Sequence, residues 1–290
     1  SNDTLILAGT DTIAVTASDT TSITTGAAAA SVAVATTKVA TVNAAAMADG
    51  VVLTTSGAGQ TVITGLKADL TDTSTVAQDI TVAAVATITL GLGTNTTGTD
   101  DVTATALTDG QVLTMTGANN ATVAFANGDL TASAYTGALV VTGTGTTGQF
   151  TTGTASSSIS STGATAIVAS ALADGQTLTT TGAGGLTVTG LSGDMTSTST
   201  GTVAVTMEDD AGTVSATLTT TNSGGTTVGT GTFDSNDTLI LAGGNTIAVT
   251  VADTTSITTG AAAASVAVAS TKIATVNAAA MADGVVLTTS

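Results

Sequence analysis

Met47-Ala-Asp-Gly-Val-Val-Leu-Thr-Thr-Ser-Gly-Ala58 is written twice more in this chain, as Leu107-Thr-Asp-Gly-Gln-Val-Leu-Thr-Met-Thr-Gly-Ala118 and as Leu172-Ala-Asp-Gly-Gln-Thr-Leu-Thr-Thr-Thr-Gly-Ala183. A fourth copy begins at Met281-Ala-Asp-Gly. The shared pattern is [LM]-[AT]-D-G-x-x-L-T-x-[ST]-G-A. Asp-Gly supplies turn chemistry, because Asp bonds nearby backbone and Gly accepts positive φ. The stretch that follows is a short strand closed by a Gly corner. A second Asp (Asp69, Asp129, Asp194) lies 20 residues beyond the first (Asp49, Asp109, Asp174). Twenty residues is close to one coil of a β-solenoid, and the 60-residue step from Asp49 to Asp109 is three. The steps of 65 and 109 to Asp174 and Asp283 are not multiples of 20, so coil length must vary.

The surrounding sequence repeats the same local grammar. Ile88-Thr-Leu90, Val123-Ala-Phe125, Leu186-Thr-Val188, Val203-Ala-Val205-Thr-Met207 and Ile247-Ala-Val249 alternate apolar and small or polar residues, the period of a strand with one buried face. Gly57-Ala-Gly59, Gly117-Ala-Asn-Asn120 and Gly182-Ala-Gly-Gly185 read as corners between such strands. The Ala runs at 27–30 and 44–46 suit a helix by propensity. The neighbouring Gly26, Val32, Val34, Val39 and Val42 favour strands instead.

A longer repeat encloses the short one. Residues 1–56 return as 235–290 with six differences, at an offset of 234. Residues 1–234 are therefore one long repeat, with sub-repeats starting near 47, 107 and 172, and 235–290 begin the next. The expected organisation is a single continuous solenoid, with this sequence a window on a longer repetitive protein. Identical repeats of this kind build length. At ~4.8 Å per coil, one long repeat would extend on the order of 55 Å.

Composition points the same way. Aromatic residues make up 1% of the chain, and Pro, Cys, His and Trp are absent. Small side chains bury little apolar area each, so a fold that pairs nearly every backbone group suits this alphabet better than a globular core. A hydrophobic fraction of 42% and a mean hydropathy of +0.49 oppose disorder. The abundant Thr suits ladders in which like residues stack on like.

The formal net charge of −17 repels phosphate backbones and excludes nucleic acid as a partner class. No apolar run is long enough to span a membrane. Without His or Cys, neither a Ser/His/Asp triad nor a Cys/His pair can be built, and the usual zinc ligands are missing. Two carboxylates could cleave a glycosidic bond, but almost no rings or basic groups are present to hold a sugar. The expectation is a non-enzymatic protein. Adjacent carboxylates at Asp100-Asp101 and Glu208-Asp209-Asp210 are the calcium candidates, since they repel one another unless a cation or solvent intervenes. No other cofactor is expected.

The repeated [LM]-[AT]-D-G-x-x-L-T-x-[ST]-G-A, followed by Leu66-Lys-Ala-Asp69-Leu70 or Leu191-Ser-Gly-Asp194-Met195, resembles the β-strand-repeat segments of giant secreted bacterial surface proteins. These include adhesin, hemolysin-like and surface-layer-like proteins. The resemblance implies an extracellular or cell-surface location and an extended structural role. It names no ligand. The expected fold is therefore all-β, a parallel β-helix, with a string of β-sandwich domains as the alternative. The expected function is a section of a filament, stalk or surface coat, with an adhesin recognising glycans or another surface as the alternative. The expected partners are the protein itself, by end-to-end stacking or polymerisation, and other cell-surface components.

Overall fold

The computed structural model describes residues 3–7, 13–19, 21–35, 37–143, 148–208, 215–222, 224–230, 238–244, 247–251, 255–262, 264–268, 274–283 and 285–290. Among them there are thirty strands and no helix. The Ala-rich stretches take no helical form: Ala30 opens a strand, and Ala44–Ala46 turn a corner. The chain divides into two units, Ser1–Gly143 and Thr144–Ser290. This division falls inside the 234-residue repeat rather than at its end.

The first unit runs β1 (Asp3–Ile6), β2 (Ile13–Ala17), β3 (Thr21–Thr24), β4 (Ala30–Val34), β5 (Val39–Asn43), β6 (Val52–Gly57), β7 (Gln60–Leu66) and β8 (Asp69–Ser74). It continues through β9 (Asp79–Val82), β10 (Thr87–Leu92), β11 (Asp100–Ala104), β12 (Val112–Gly117), β13 (Ala121–Phe125), β14 (Asp129–Thr131) and β15 (Leu139–Gly143). Odd-numbered strands pair in order in one parallel sheet and even-numbered strands in another. Two strands make one coil of a β-solenoid.

The second unit repeats this plan. It runs β16 (Gln149–Thr151), β17 (Ser157–Ser161), β18 (Thr165–Val168), β19 (Thr177–Thr181), β20 (Leu186–Leu191), β21 (Asp194–Ser197), β22 (Val203–Met207) and β23 (Ser215–Thr220). Then come β24 (Thr226–Gly229), β25 (Thr238–Gly243), β26 (Ile247–Val251), β27 (Thr255–Thr258), β28 (Ala264–Val268), β29 (Ala274–Asn277) and β30 (Leu287–Thr289). Even and odd strands again form separate parallel sheets.

Alternation decides which side chains form the core. In β13 the pattern is buried, half-buried, buried, so Ala121, Val123 and Phe125 point in while Thr122 and Ala124 point out. Leu53, Ile63, Leu90 and Leu113 are all fully buried at inward positions. Across the 234-residue offset the same inward site holds Ala17 in one unit and Val251 in the other, both buried. Outward positions carry hydroxyls in register, as in the column Thr89, Thr114, Thr131. These Thr columns match the ladder expected from composition.

The short repeat has a direct structural translation. Its first residue (Met47, Leu107, Leu172) is buried in a turn. In each copy that residue's backbone N–H donates to the carbonyl three residues earlier. The Leu of the motif (Leu53, Leu113, Leu178) is the first inward strand residue and is fully buried. The second Asp begins the strand one coil on: Asp69 pairs with Val52, and its Oδ1 accepts the Thr89 N–H of the next coil at 2.7 Å. Asp194 does the same for Thr217, at 2.7 Å.

Coil length varies, as the uneven spacing required. Asp69 lies 17 residues beyond its partner Val52, while Val112 lies 25 beyond its partner Thr87. The copies starting at Met47 and Leu107 enter β6 and β12, which share a sheet and are three coils apart. In the second unit the copies at Leu172 and Met281 enter β19 and β30, which lie in opposite sheets. Their 109-residue separation is thus a half-integral number of coils. One coil half serves as well as the other, because each is a strand followed by a corner.

The two motif glycines bear different constraints. Gly110 has φ +77 in the Asp-Gly turn, and a Cβ there would meet nothing within 4 Å. Gly117 has φ +115, and a Cβ there would overlap the Leu92 carbonyl oxygen of the coil beneath. Gly110→Ala should therefore cost about 1 kcal/mol, the backbone term alone. Gly117→Ala should cost about 3 kcal/mol or more, as strain and overlap combine. Urea unfolding of the two variants checks the difference, and equal losses would contradict the packing assigned to Gly117.

Candidate functional site

The corner that leads from each even strand into the next odd strand carries the first unit's densest set of buried polar side chains. Thr55 and Asp72 are neighbours in the register of β6 and β8. Both point inward, and the Thr55 hydroxyl donates to Asp72 Oδ1 at 2.6 Å. Ser74 also donates to that oxygen, through its N–H at 3.1 Å and its hydroxyl at 2.6 Å. Gln78, fully buried before β9, accepts the Thr61 N–H and donates to the Val76 carbonyl.

Asp100 occupies the same corner two strands on. It opens β11 with its side chain fully inside. Its Oδ1 accepts the Gln78 N–H at 2.8 Å and Asn95 Nδ2 at 2.9 Å, and its Oδ2 accepts Asn119 Nδ2 at 2.9 Å. Asn119 Oδ1 accepts the Asn95 N–H, and the Tyr135 hydroxyl donates to the Asn119 carbonyl. The result is a polar spine within an otherwise apolar interior.

Burial pushes the Asp100 carboxyl above its ordinary range, since desolvation disfavours the charged form. The three hydrogen bonds from Gln78, Asn119 and Asn95 oppose this, and the Asp72 charge adds to it. Burial likewise raises the Tyr135 phenol, with the Asp100 charge a second cause.

The calcium candidates are distributed in a way the sequence could not reveal. Asp100 and Asp101 are adjacent in an extended strand, so one is buried and the other exposed on the outer face. Their carboxylates cannot converge on one ion. Asp101 instead stacks beside Asp79 of the neighbouring coil. Glu208, in the second unit, is half-buried after β22, with its Oε2 over Gly190. Asp209 and Asp210 lie outside the described residues. Among the described residues no three acidic, His or Cys side chains gather as a metal cluster. Asp72, Asn95, Asn119 and Tyr135 were not legible as site residues. The only signal was a polar residue at an inward strand position, which in so Thr-rich a chain does not stand out.

The open grooves are poor in chemistry. One in the first unit is lined by Thr37, Lys38, Ala58, Gly59, Gln60 and Thr97, among others. One in the second is lined by Thr165, Gly185, Thr187, Thr202 and their small neighbours. Neither contains a carboxylate. The Lys38–Asp19 ion pair, at 3.5 Å, is exposed on both sides and contributes little to stability. Comparison of the chain with protein-family models, with curated proteins and with solved structures finds no match.

Asp100 makes stability depend on pH. Its carboxyl is raised above the ordinary 3.8, so the folded state holds its proton more tightly than the unfolded chain does. This contribution is fully present below the ordinary value and is lost as pH rises through the folded one. In chelator-buffered solution, stability should fall with rising pH across that window, by up to about 1.4 kcal/mol per pH unit. Asp100→Asn should flatten that slope, whatever its effect on absolute stability. Urea midpoints of both proteins across acidic pH check this; parallel slopes would sink it.

Proposed function

We propose that this chain is a non-enzymatic structural section of a long extracellular bacterial filament, stalk or surface-coat protein. The observation that carries this reading is that the recurring residues are the ones a coil needs. They are inward Leu and Met, Asp-Gly turns, corner glycines and the strand-starting Asp. A recurring catalytic or ligand-binding set is not among them. Each coil covers the strand edges of the coil beneath, so repeats extend by stacking. The acidic, Lys-poor surface keeps such lengths soluble. The likeness of the short repeat to secreted surface-protein segments supplies the location.

The second reading is an adhesin or binding module. The outward hydroxyl columns support it, among them Ser158, Thr179, Thr196 and Thr219. A flat array of this kind could meet a glycan or another cell surface. It also serves as a strand-stabilising ladder, so it favours neither reading alone.

Proteins carrying one, two and three copies of residues 1–234 separate these possibilities. The structural reading expects cryo-electron micrographs to show a rod lengthening by on the order of 55 Å per copy, with a ~4.8 Å axial repeat. A beaded string with flexible joints would overturn it. Saturable binding to a glycan array that is lost on Thr179→Ala and Thr196→Ala would favour the adhesin.

A further inference from the structure

The second unit buries a column of hydroxyls that the protein itself leaves unpaired. Among the described residues of that unit, four buried side-chain atoms have no hydrogen-bond partner: Thr152 Oγ1, Thr180 Oγ1, Ser197 Oγ and Thr220 Oγ1. The last three are register neighbours in β19, β21 and β23. All three point inward, and none is more than 1% exposed. Ile159 lies beneath Thr180 and Gly243 above Thr220, so the hydroxyl column spans three coils. A buried hydroxyl that gives up water without a replacement partner is costly, and here three stand together.

The first unit shows what normally fills such a place. At the offset of 125 that separates Asp49 from Asp174, Thr180 corresponds to Thr55, Ser197 to Asp72 and Ser199 to Ser74. The register is the same, since Thr55 lies beside Asp72 as Thr180 lies beside Ser197. In the first unit Asp72 Oδ1 accepts the Thr55 hydroxyl at 2.6 Å, the Ser74 hydroxyl at 2.6 Å and the Ser74 N–H at 3.1 Å. Serine at 197 has no carboxyl, so that acceptor has no side-chain counterpart. Ser199 accordingly turns its hydroxyl to the Gly184 carbonyl, at 3.0 Å. Thr180 has no such alternative.

We propose that the Thr180–Ser197–Thr220 column binds two buried waters, one between each pair of successive coils. Equivalent hydroxyls ~4.8 Å apart are bridged by an oxygen ~2.8 Å from each, at an angle of roughly 120°, which suits water. The lower water takes the place of Asp72 Oδ1: it accepts from Thr180 and bonds Ser197. The Ser199 N–H, counterpart of the Ser74 N–H, supplies its third partner, within the two to four that a buried water needs. The upper water joins Ser197 to Thr220. The ligand is neutral. Among the described residues the second unit has no basic side chain to balance an anion, and the column has no carboxylate to hold a cation. The waters tie three coils together where the first unit uses a carboxylate.

Substitutions that keep shape and remove only the hydroxyl test this in the full chain. Thr180→Val deletes a partner of the lower water, Thr220→Val one of the upper, and Ser197→Ala one of both. Oxygen-17 magnetic relaxation dispersion counts long-lived internal waters, and urea unfolding reads stability. Each variant should hold fewer long-lived waters than the parent and unfold at a lower urea midpoint. Dry hydroxyls would give the opposite sign, because a methyl group relieves an unsatisfied buried oxygen. A folded variant that keeps all the parent's long-lived waters, or whose midpoint is unchanged or raised, would overturn the site. The two valine variants decide the matter if Ser197→Ala fails to fold.

Discussion

Backbone hydrogen bonding between one coil and the next is the constraint to which everything else in this chain is subordinate. Each strand donates to and accepts from its equivalents above and below, in register, through both sheets of each unit. Parallel ladders satisfy the main chain without asking much of side chains. That is how a sequence with three Phe, one Tyr and no Trp can hold a regular fold. Where the ladder bends, the price is steric. Gly117 sits so close to the Leu92 carbonyl that no side chain fits, and Gly57 and Gly182 stand in the same relation to Val34 and Ser161.

The ladder also sorts chemistry by parity. Neighbouring residues in a strand face opposite sides, so one position decides between core and solvent. Asp100 and Asp101 show this most plainly: one has three hydrogen bonds from buried partners, and the other stands in the open beside Asp79. Polar side chains at inward positions then find each other across coils rather than along the chain. Thr55 meets Asp72 at a separation of 17 residues, and Asn119 meets Asp100 at 19. The polar corner is thus a product of stacking, with members drawn from four separate corners and the strands that flank them.

Between these constraints the fold leaves freedom in how much chain each corner takes. Coil steps run from 16 to 25 residues, and the register slips by one residue before Leu66 and before Leu191. The short repeat can occupy either sheet, as the copies entering β19 and β30 show. Corners absorb the differences in length, which places the most variable geometry, and the largest polar loops, at the edges between sheets.

Much of the fold was legible in order of residues alone. The alternation of Ile88-Thr-Leu90 or Val203-Ala-Val205 marks an inward face, the Asp-Gly and Gly-Ala steps mark turns, and the near-20-residue interval marks a coil. These are local properties, set by side-chain period and backbone freedom, and they survive in any context that lets the strands pair. Register did not follow from them. Which residue lies above which depends on the length of each corner, and a shift of a single residue would exchange core for surface. The companions of Asp100 could therefore be found only once the coils were stacked. Gln78 and Asn119 are far from it in sequence and unremarkable in type, and only tertiary pairing brings them within hydrogen-bonding distance; Asn95, five residues away, reaches it along the same corner.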